Sequence, residues 1–425
     1  MKLLPLLAAL ALPLAGPVPA AAAAATPDPV IGHAVFNDPT GTPARQNAIA
    51  IQLAGLIDRV PAGEEIRLTV FGFDTPDTAD SPDAPDLVDH FVAAHDRGVR
   101  VKIILDQGQA GNGPHTRLKA ALGTDDTQPS WVVTCGDQFP SGPKRGCIGT
   151  RVKQWSDSTA YADNHNKFAL FSKVRLDDGS VRSGVVYVAS ANIGVWDANE
   201  SYNNAFTYSD PGTFGAYRAY FEDLRRYRYS KDGNNDYYRD SGSGTDYRAF
   251  FFPRHEGAGK PFEDPGTDTI VSTLNSVHCS YTETDGSRHQ TDVRIAMWAF
   301  TRPAIAQKLA ALKQAGCWVD VVYSNASQAV LDALNGIQVT KCDYAAGPGI
   351  DVRVHSKYLL VDGGFDDDIV PRVYTGSHNY AWSSLRQEDE NLLRIMGRGP
   401  HTEYLANFHQ VRDTCRAKAS AAATG

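Results

Sequence analysis

Two tripeptides, His165-Asn166-Lys167 and His355-Ser356-Lys357, stand 190 residues apart, and each places a histidine and a lysine two positions apart at the head of an apolar run. The runs, Phe168-Ala-Leu-Phe171 and Tyr358-Leu-Leu-Val361, have the length and content of buried strands. Along a strand, residues two apart share a face, so each pair sets an imidazole beside an ammonium. That pairing suits a phosphate. Each run is followed by a second strand, Val185-Val-Tyr-Val188 or Arg372-Val-Tyr-Thr375, which leads into Ala189-Ser190-Ala191-Asn192 or Gly376-Ser377-His378-Asn379. Hydroxyl and amide groups at a strand end are suited to hold phosphate oxygens. The duplication points to one site assembled from two half-sites.

A phosphodiester demands a nucleophile, an acid for the leaving oxygen and positive charge on the non-bridging oxygens. Two histidines divide the first two tasks. A neutral imidazole attacks phosphorus to give a phosphohistidine; a protonated one hands its proton to the departing alcohol and then activates water. Lys167, Lys357, Asn192 and Asn379 are expected to clamp the phosphoryl oxygens, with Ser190 and Ser377 among the phosphate-binding groups. No metal or other cofactor is required.

The elements that must position these groups also repeat. Ile66-Arg-Leu-Thr-Val-Phe-Gly-Phe73 corresponds to Val293-Arg-Ile-Ala-Met-Trp-Ala-Phe300. Amphipathic helices follow, carrying Leu87, Val88, Phe91 and Val92 in one half and Ile305, Leu309 and Leu312 in the other. Each stops at a glycine, Gly98 or Gly316, and feeds a further strand, Arg100–Leu105 or Cys317–Tyr323. Strand, helix and strand at this spacing imply parallel pairs with crossover helices, hence an α/β fold. The 425 residues divide most simply into residues 26–245 and 246–425, with the seam in the polar Ser230–Thr245 stretch and a new apolar strand at Ala249–Pro253. Terminal helices are expected around Phe214–Leu224 and Tyr404–Val411.

On these residues the chain resembles the phospholipase D superfamily, whose signature is His-x-Lys-x4-Asp followed by Gly-Ser-x-Asn in each half. The second half matches in full with His355, Lys357, Asp362, Gly376, Ser377, Asn379 and Glu390. The first keeps His165, Lys167, Ser190 and Asn192 but has Ser172 for the aspartate, Ala189 for the glycine and Asn203 at the position of Glu390. The resemblance implies two similar α/β domains, each a mixed sheet flanked by helices, related by a pseudo-twofold axis with the active site at their interface. It also implies His165 as nucleophile, His355 as general acid and Glu390 as an acceptor that orients one imidazole. Asn203 would serve the other with its amide oxygen, and a partner without charge leaves its imidazole the less basic of the two. Asp362 is read either as a turn acid or as a supporting group, and His378 as a surface or pocket-rim residue.

The N-terminus and the cysteines point outward from the cell. Met1-Lys2, an apolar run and small residues to Ala25 read as a signal peptide over residues 1–25, so the mature protein is expected to be secreted. Cys135, Cys147, Cys279, Cys317, Cys342 and Cys415 fit three disulfides in an exported chain. Pairing within short loops gives Cys135 with Cys147 and Cys317 with Cys342, leaving Cys279 with Cys415. The first half is the longer between its repeats, and the surplus over Gly108–Thr159 is read as a loop over the active site or as an ordinary packed excursion.

A net charge of -8, from 41 basic and 49 acidic residues, argues against nucleic acid as the partner. A phospholipid, met at a membrane surface, is the expected substrate, with no obligate protein partner. A nuclease, a hydrolase of soluble diesters and a non-catalytic lipid-binding protein are the competing readings.

Overall fold

The computed structural model describes residues 27–74, 80–156 and 158–424. The leader expected over residues 1–25 lies outside the described residues. Among them, no helix is long and apolar enough to cross a membrane.

Two mixed sheets carry the fold. The first has seven strands in the spatial order His33–Phe36, Asn204–Ser209, Val181–Ala189, Lys167–Arg175, Glu65–Val70, Arg100–Leu105 and Trp131–Thr134. The second has eight, with Arg239–Asp240 at one edge, and the other seven repeat that order as Tyr247–Phe251, Asn391–Met396, Arg372–Gly376, Lys357–Asp362, Asp292–Phe300, Trp318–Ala326 and Gln338–Lys341. In both, the strand preceding the crossover helix pairs in parallel with the strand that follows it and antiparallel with the histidine-lysine strand. The helices Leu87–Asp96 and Pro303–Gln314 make those crossovers, and the glycines at their ends, Gly98 and Gly316, take positive φ.

Each sheet is covered on both faces, which is why its central strands are apolar throughout rather than alternating. Outer helices close separate cores around Leu53, Val88 and Ile103 in one half and Ile305, Leu309 and Val321 in the other. A third core lies between the sheets. There the helices Pro211–Tyr227 and Arg398–Thr424 insert Tyr217, Tyr220, Phe221, Tyr404 and Phe408 among Phe168, Val188, Tyr358 and Leu393. The chain crosses from one sheet to the other between Tyr227 and Arg239, and the short strand Arg239–Asp240 already pairs with Phe250–Phe251 of the second sheet.

The disulfides are Cys135–Cys147, Cys279–Cys317 and Cys342–Cys415. The last two correct the short-loop pairing. Cys317 precedes the strand Trp318–Ala326, whereas Cys342 follows Lys341, which lies opposite Tyr323. At about 3.3 Å per residue the two are roughly 20 Å apart along the sheet, far beyond disulfide reach.

Candidate active site

The two histidine-lysine pairs meet where the halves meet. At the entrance to each histidine-lysine strand, the backbone is gripped by the opposite half: His165 N–H donates to Asp389 O at 3.0 Å, and His355 N–H to Tyr202 O at 2.9 Å. Counted from Ser377 and Ser190, Asp389 and Tyr202 hold the same register. The next residue in each case serves the imidazole. His165 Nδ1 lies 2.9 Å from Glu390 Oε1, and His355 Nδ1 lies 3.0 Å from Asn203 Oδ1. The orienting partners are thus exchanged between halves, and both imidazoles keep Nε2 for chemistry.

Lys167 Nζ donates to His165 O at 2.8 Å and Lys357 Nζ to His355 O at 2.7 Å. Each buried ammonium spends one donor on its own motif and retains two for a ligand. Burial pushes His165 down to about 3, helped by Lys167, and His355 down to about 3, helped by Lys357. Burial likewise lowers Lys167 to about 8 and Lys357 well below its ordinary value, where repulsion from the Lys167 ammonium adds to it. The site is a largely buried pocket with crowded cations, suited to an anion. Both imidazoles are lowered by the same burial and the same pair of lysines, and Asp197 Oδ1, 3.3 Å from His355 Nδ1, brings to that side a charge that Asn203 lacks.

The remaining predicted residues divide. Asn379 has a buried Oδ1 that lacks a hydrogen-bond partner. Asn192 is tied down: its Nδ2 donates to Asp197 Oδ2 at 3.2 Å and its Oδ1 accepts from Gly72 N at 3.2 Å. Ser190 and Ser377, expected on phosphate, are fully buried and turned inward instead. Ser190 Oγ donates to Asn203 Oδ1 at 2.8 Å, and Ser377 Oγ accepts from Asn391 N at 3.0 Å. They hold the segment that carries the orienting residue. Asp362 pairs with Arg398 at the far end of its strand, so it acts as a structural acid remote from the histidines. Ser172 hydrogen-bonds Glu64 and Glu65 at the corresponding place. His378 is neither on the surface nor at a rim. It is buried with its ring 4.4 Å from that of Phe252.

Gly376 is needed where Ala189 is tolerated. Gly376 has φ of 143°, and a Cβ there would lie 2.5 Å from Asn391 O, whereas Ala189 continues its strand opposite Ala205. Gly376→Ala is expected to destabilise the protein by about 3 kcal/mol. Thermal unfolding tests this, and an unchanged midpoint would contradict it.

Three acids at the site escape the motif spacing. Asp197 and Glu388 lie near the two imidazoles, and Asp389 accepts backbone N–H groups from Cys147, Ile148 and Gly149 at 2.6, 3.1 and 2.7 Å. The run Glu388-Asp389-Glu390 is the available signal, since three successive acids are unexpected at the start of a buried strand. The same contacts account for part of the long segment 108–159. It supplies the helix Gly113–Leu122 and the edge strand Trp131–Thr134, and its disulfide-pinned turn packs against Gln387–Asp389. At the rim Lys144 pairs with Asp163 at 2.7 Å, and both Lys144 and Lys167 lie over the Phe71 ring.

His165, Glu388 and Glu390 each offer a ligand atom, all within 4.8 Å of one another, a donor set suited to a divalent cation. The other such grouping, Cys135 and Cys147 with Asp389, has its sulfurs committed to a disulfide. Beside the site, a cavity of about 380 Å³ reaches Asn192 and Asp197 and is walled by Ile49, Leu53, Leu87 and Tyr187.

The sequence matches the family described as cardiolipin synthase, PLD-like domain, over residues 58–225 and 287–412. Among curated proteins none matches. Among solved structures, phosphatidylserine synthase of Haemophilus influenzae Rd KW20 is similar, with a TM-score of 0.54 and 12% identity over 91% of this chain and 86% of that one. Polyphosphate kinase of Porphyromonas gingivalis has a TM-score of 0.53 and 13% identity, again over 91% of this chain. This chain spans about half of that kinase, 54% of its length. At these identities the likeness is one of fold.

Proposed function

Starting from the fact that this chain belongs to the phospholipase D superfamily, through its PLD-like domains of cardiolipin synthase type, we propose that it is a secreted phospholipase D that cleaves glycerophospholipids to phosphatidic acid and free head group. The observation that carries this reading is the pair of imidazoles, each oriented through Nδ1 by the opposite half and each backed by a buried lysine.

His165 Nε2 attacks phosphorus, the bond from phosphorus to the head-group oxygen breaks, and His355 Nε2–H protonates that oxygen. In the second step His355 takes a proton from water, the hydroxide attacks phosphorus, and the P–N bond breaks to return His165. Lys167 and Lys357 balance the charge on the non-bridging oxygens. A bound phosphate diester is an anion, so it raises the affinity of His355 for its proton and offsets the two lysines. The apolar cavity beside Asn192 offers room for part of a lipid, and three disulfides fit an exported protein.

The test is release of head group and phosphatidic acid from phosphatidylcholine and phosphatidylethanolamine vesicles in EDTA, with plasmid DNA in parallel. Cleaved lipid supports the reading. Nicked DNA beside intact lipid makes the protein a nuclease, and loss of lipid cleavage in EDTA makes a metal part of the site. An added alcohol such as glycerol measures transfer against hydrolysis in the same reaction.

The pH dependence has a definite sign. Burial pushes Glu390 up to about 7, and Glu388 up to about 7 as well. Glu390 holds the His165 Nδ1–H most strongly as a carboxylate, so protonation weakens the nucleophile. We expect kcat/KM to fall as pH falls through about 7, with apparent values belonging to the pair of glutamates. A profile flat between about pH 5 and 8 would contradict this.

A further inference from the structure

The two imidazoles are oriented by unlike groups, a carboxylate for His165 and an amide for His355. An acid that cycles through its imidazolium form gains far more from a negative charge than from a neutral dipole. On the His355 side that charge has one evident source. Asp197 Oδ1 lies 3.3 Å from His355 Nδ1, and Asp197 is itself buried. Its carboxylate accepts Asn192 N–H on Oδ1 at 3.0 Å and Asn192 Nδ2–H on Oδ2 at 3.2 Å. Although burial works against ionisation, the contacts with His355 and Asn192 hold its pKa below the ordinary carboxylate value.

The sequence register makes the compensation visible. Thirteen residues beyond the motif serines stand Asn203 and Glu390; seven residues beyond stand Asp197 and Ser384. The half that lacks an acid at the later position carries one at the earlier, and the half with the later acid has a hydroxyl at the earlier. Asn203 is fixed so as to present its oxygen: its Nδ2 donates to Ser201 Oγ at 2.8 Å and to Asp197 O at 3.2 Å, which leaves Oδ1 facing the imidazole.

Resting on the phosphodiesterase reading above, we propose that Asp197 is the positioning residue that charges His355, while Asn203 only orients it. Two residues divide the orienting and the charge that Glu390 combines in one side chain at His165 Nδ1. The other charged groups acting on His355 are Lys357 and Lys167, both of which oppose its protonation, and the rings of Trp196 and Trp298 cover it at 5.1 and 5.4 Å. Asp197 therefore works against two cations in a buried environment.

The test compares full-length wild type, Asp197→Asn and the charge-relocating double variant Asp197→Asn/Asn203→Asp on two short-chain phosphatidyl esters, one of choline and one of p-nitrophenol. The nitrophenolate leaves without a proton, so only the choline ester needs the acid. Because both esters share the water step, the comparison is made on kcat/KM, which reports head-group departure: for Asp197→Asn we expect kcat/KM on the choline ester to fall about 100-fold, with at least tenfold less loss on the nitrophenyl ester, and the double variant to recover at least tenfold on choline. Equal losses on the two esters would show a structural role and overturn the proposal, as would a single variant within threefold of wild type. Should the double variant unfold, the two-ester comparison on the single variant still decides. Wild type inactive on both esters would instead sink the phosphodiesterase reading itself.

Discussion

His165→Asn, His355→Asn and the double variant are each expected to lose phosphodiesterase turnover by roughly 10⁴-fold or more, with the double scarcely worse than either single. The reason is that the imidazoles act on the same phosphorus in successive roles, so removing one leaves the other nothing to complete. The asymmetry lies in the intermediate. With a p-nitrophenyl phosphodiester, His355→Asn should accumulate a phosphorus adduct on His165, because the first step needs no acid while the second needs a base for water. His165→Asn should show none. Mass spectrometry of acid-free digests reads this directly, and an adduct on His355 in the His165 variant would exchange the two roles. Losses that simply multiply in the double variant would argue against a shared phosphorus.

Asp389→Ala should be among the most destabilising single changes, at about 3–5 kcal/mol. The carboxylate is fully buried between the halves and accepts the N–H groups of Cys147, Ile148 and Gly149, none of which has water to turn to. A Cβ on Gly149 would lie 1.9 Å from Gln387 O, so the loop has no freedom to move in and fill the space. Denaturant unfolding of the oxidised protein measures the effect. A loss under about 1 kcal/mol would mean that the loop hydrogen bonds are not what joins the halves here. Since Asp389 O also receives His165 N–H at 3.0 Å, activity should fall along with stability.

Much of the scaffold is legible in the amino-acid sequence. The histidine-lysine pairs, the strand that follows each, the crossover helices and the glycines that end them are consequences of period-two and period-3.6 patterning, and the structure places them at Lys167–Arg175, Lys357–Asp362, Leu87–Asp96 and Pro303–Gln314. The Cys135–Cys147 bridge is legible because only a short turn separates the two sulfurs. Cys279–Cys317 and Cys342–Cys415 are not, since a nine-residue strand separates the ends that short-loop reasoning would join.

Local order along the chain dictates which chemical groups each half contributes, because strand and helix periodicity depend only on neighbouring residues. Which acid serves which imidazole is a property of the docked halves. Glu390 is 225 residues from His165 and Asn203 is 152 from His355, and each pair forms across the packed interface rather than within its own motif. The inward turn of Ser190 and Ser377, the burial of His378 and the approach of Asp197 to His355 have the same origin. A side chain's partners at such an interface are set by how two independently patterned sheets dock, and no local spacing encodes that docking.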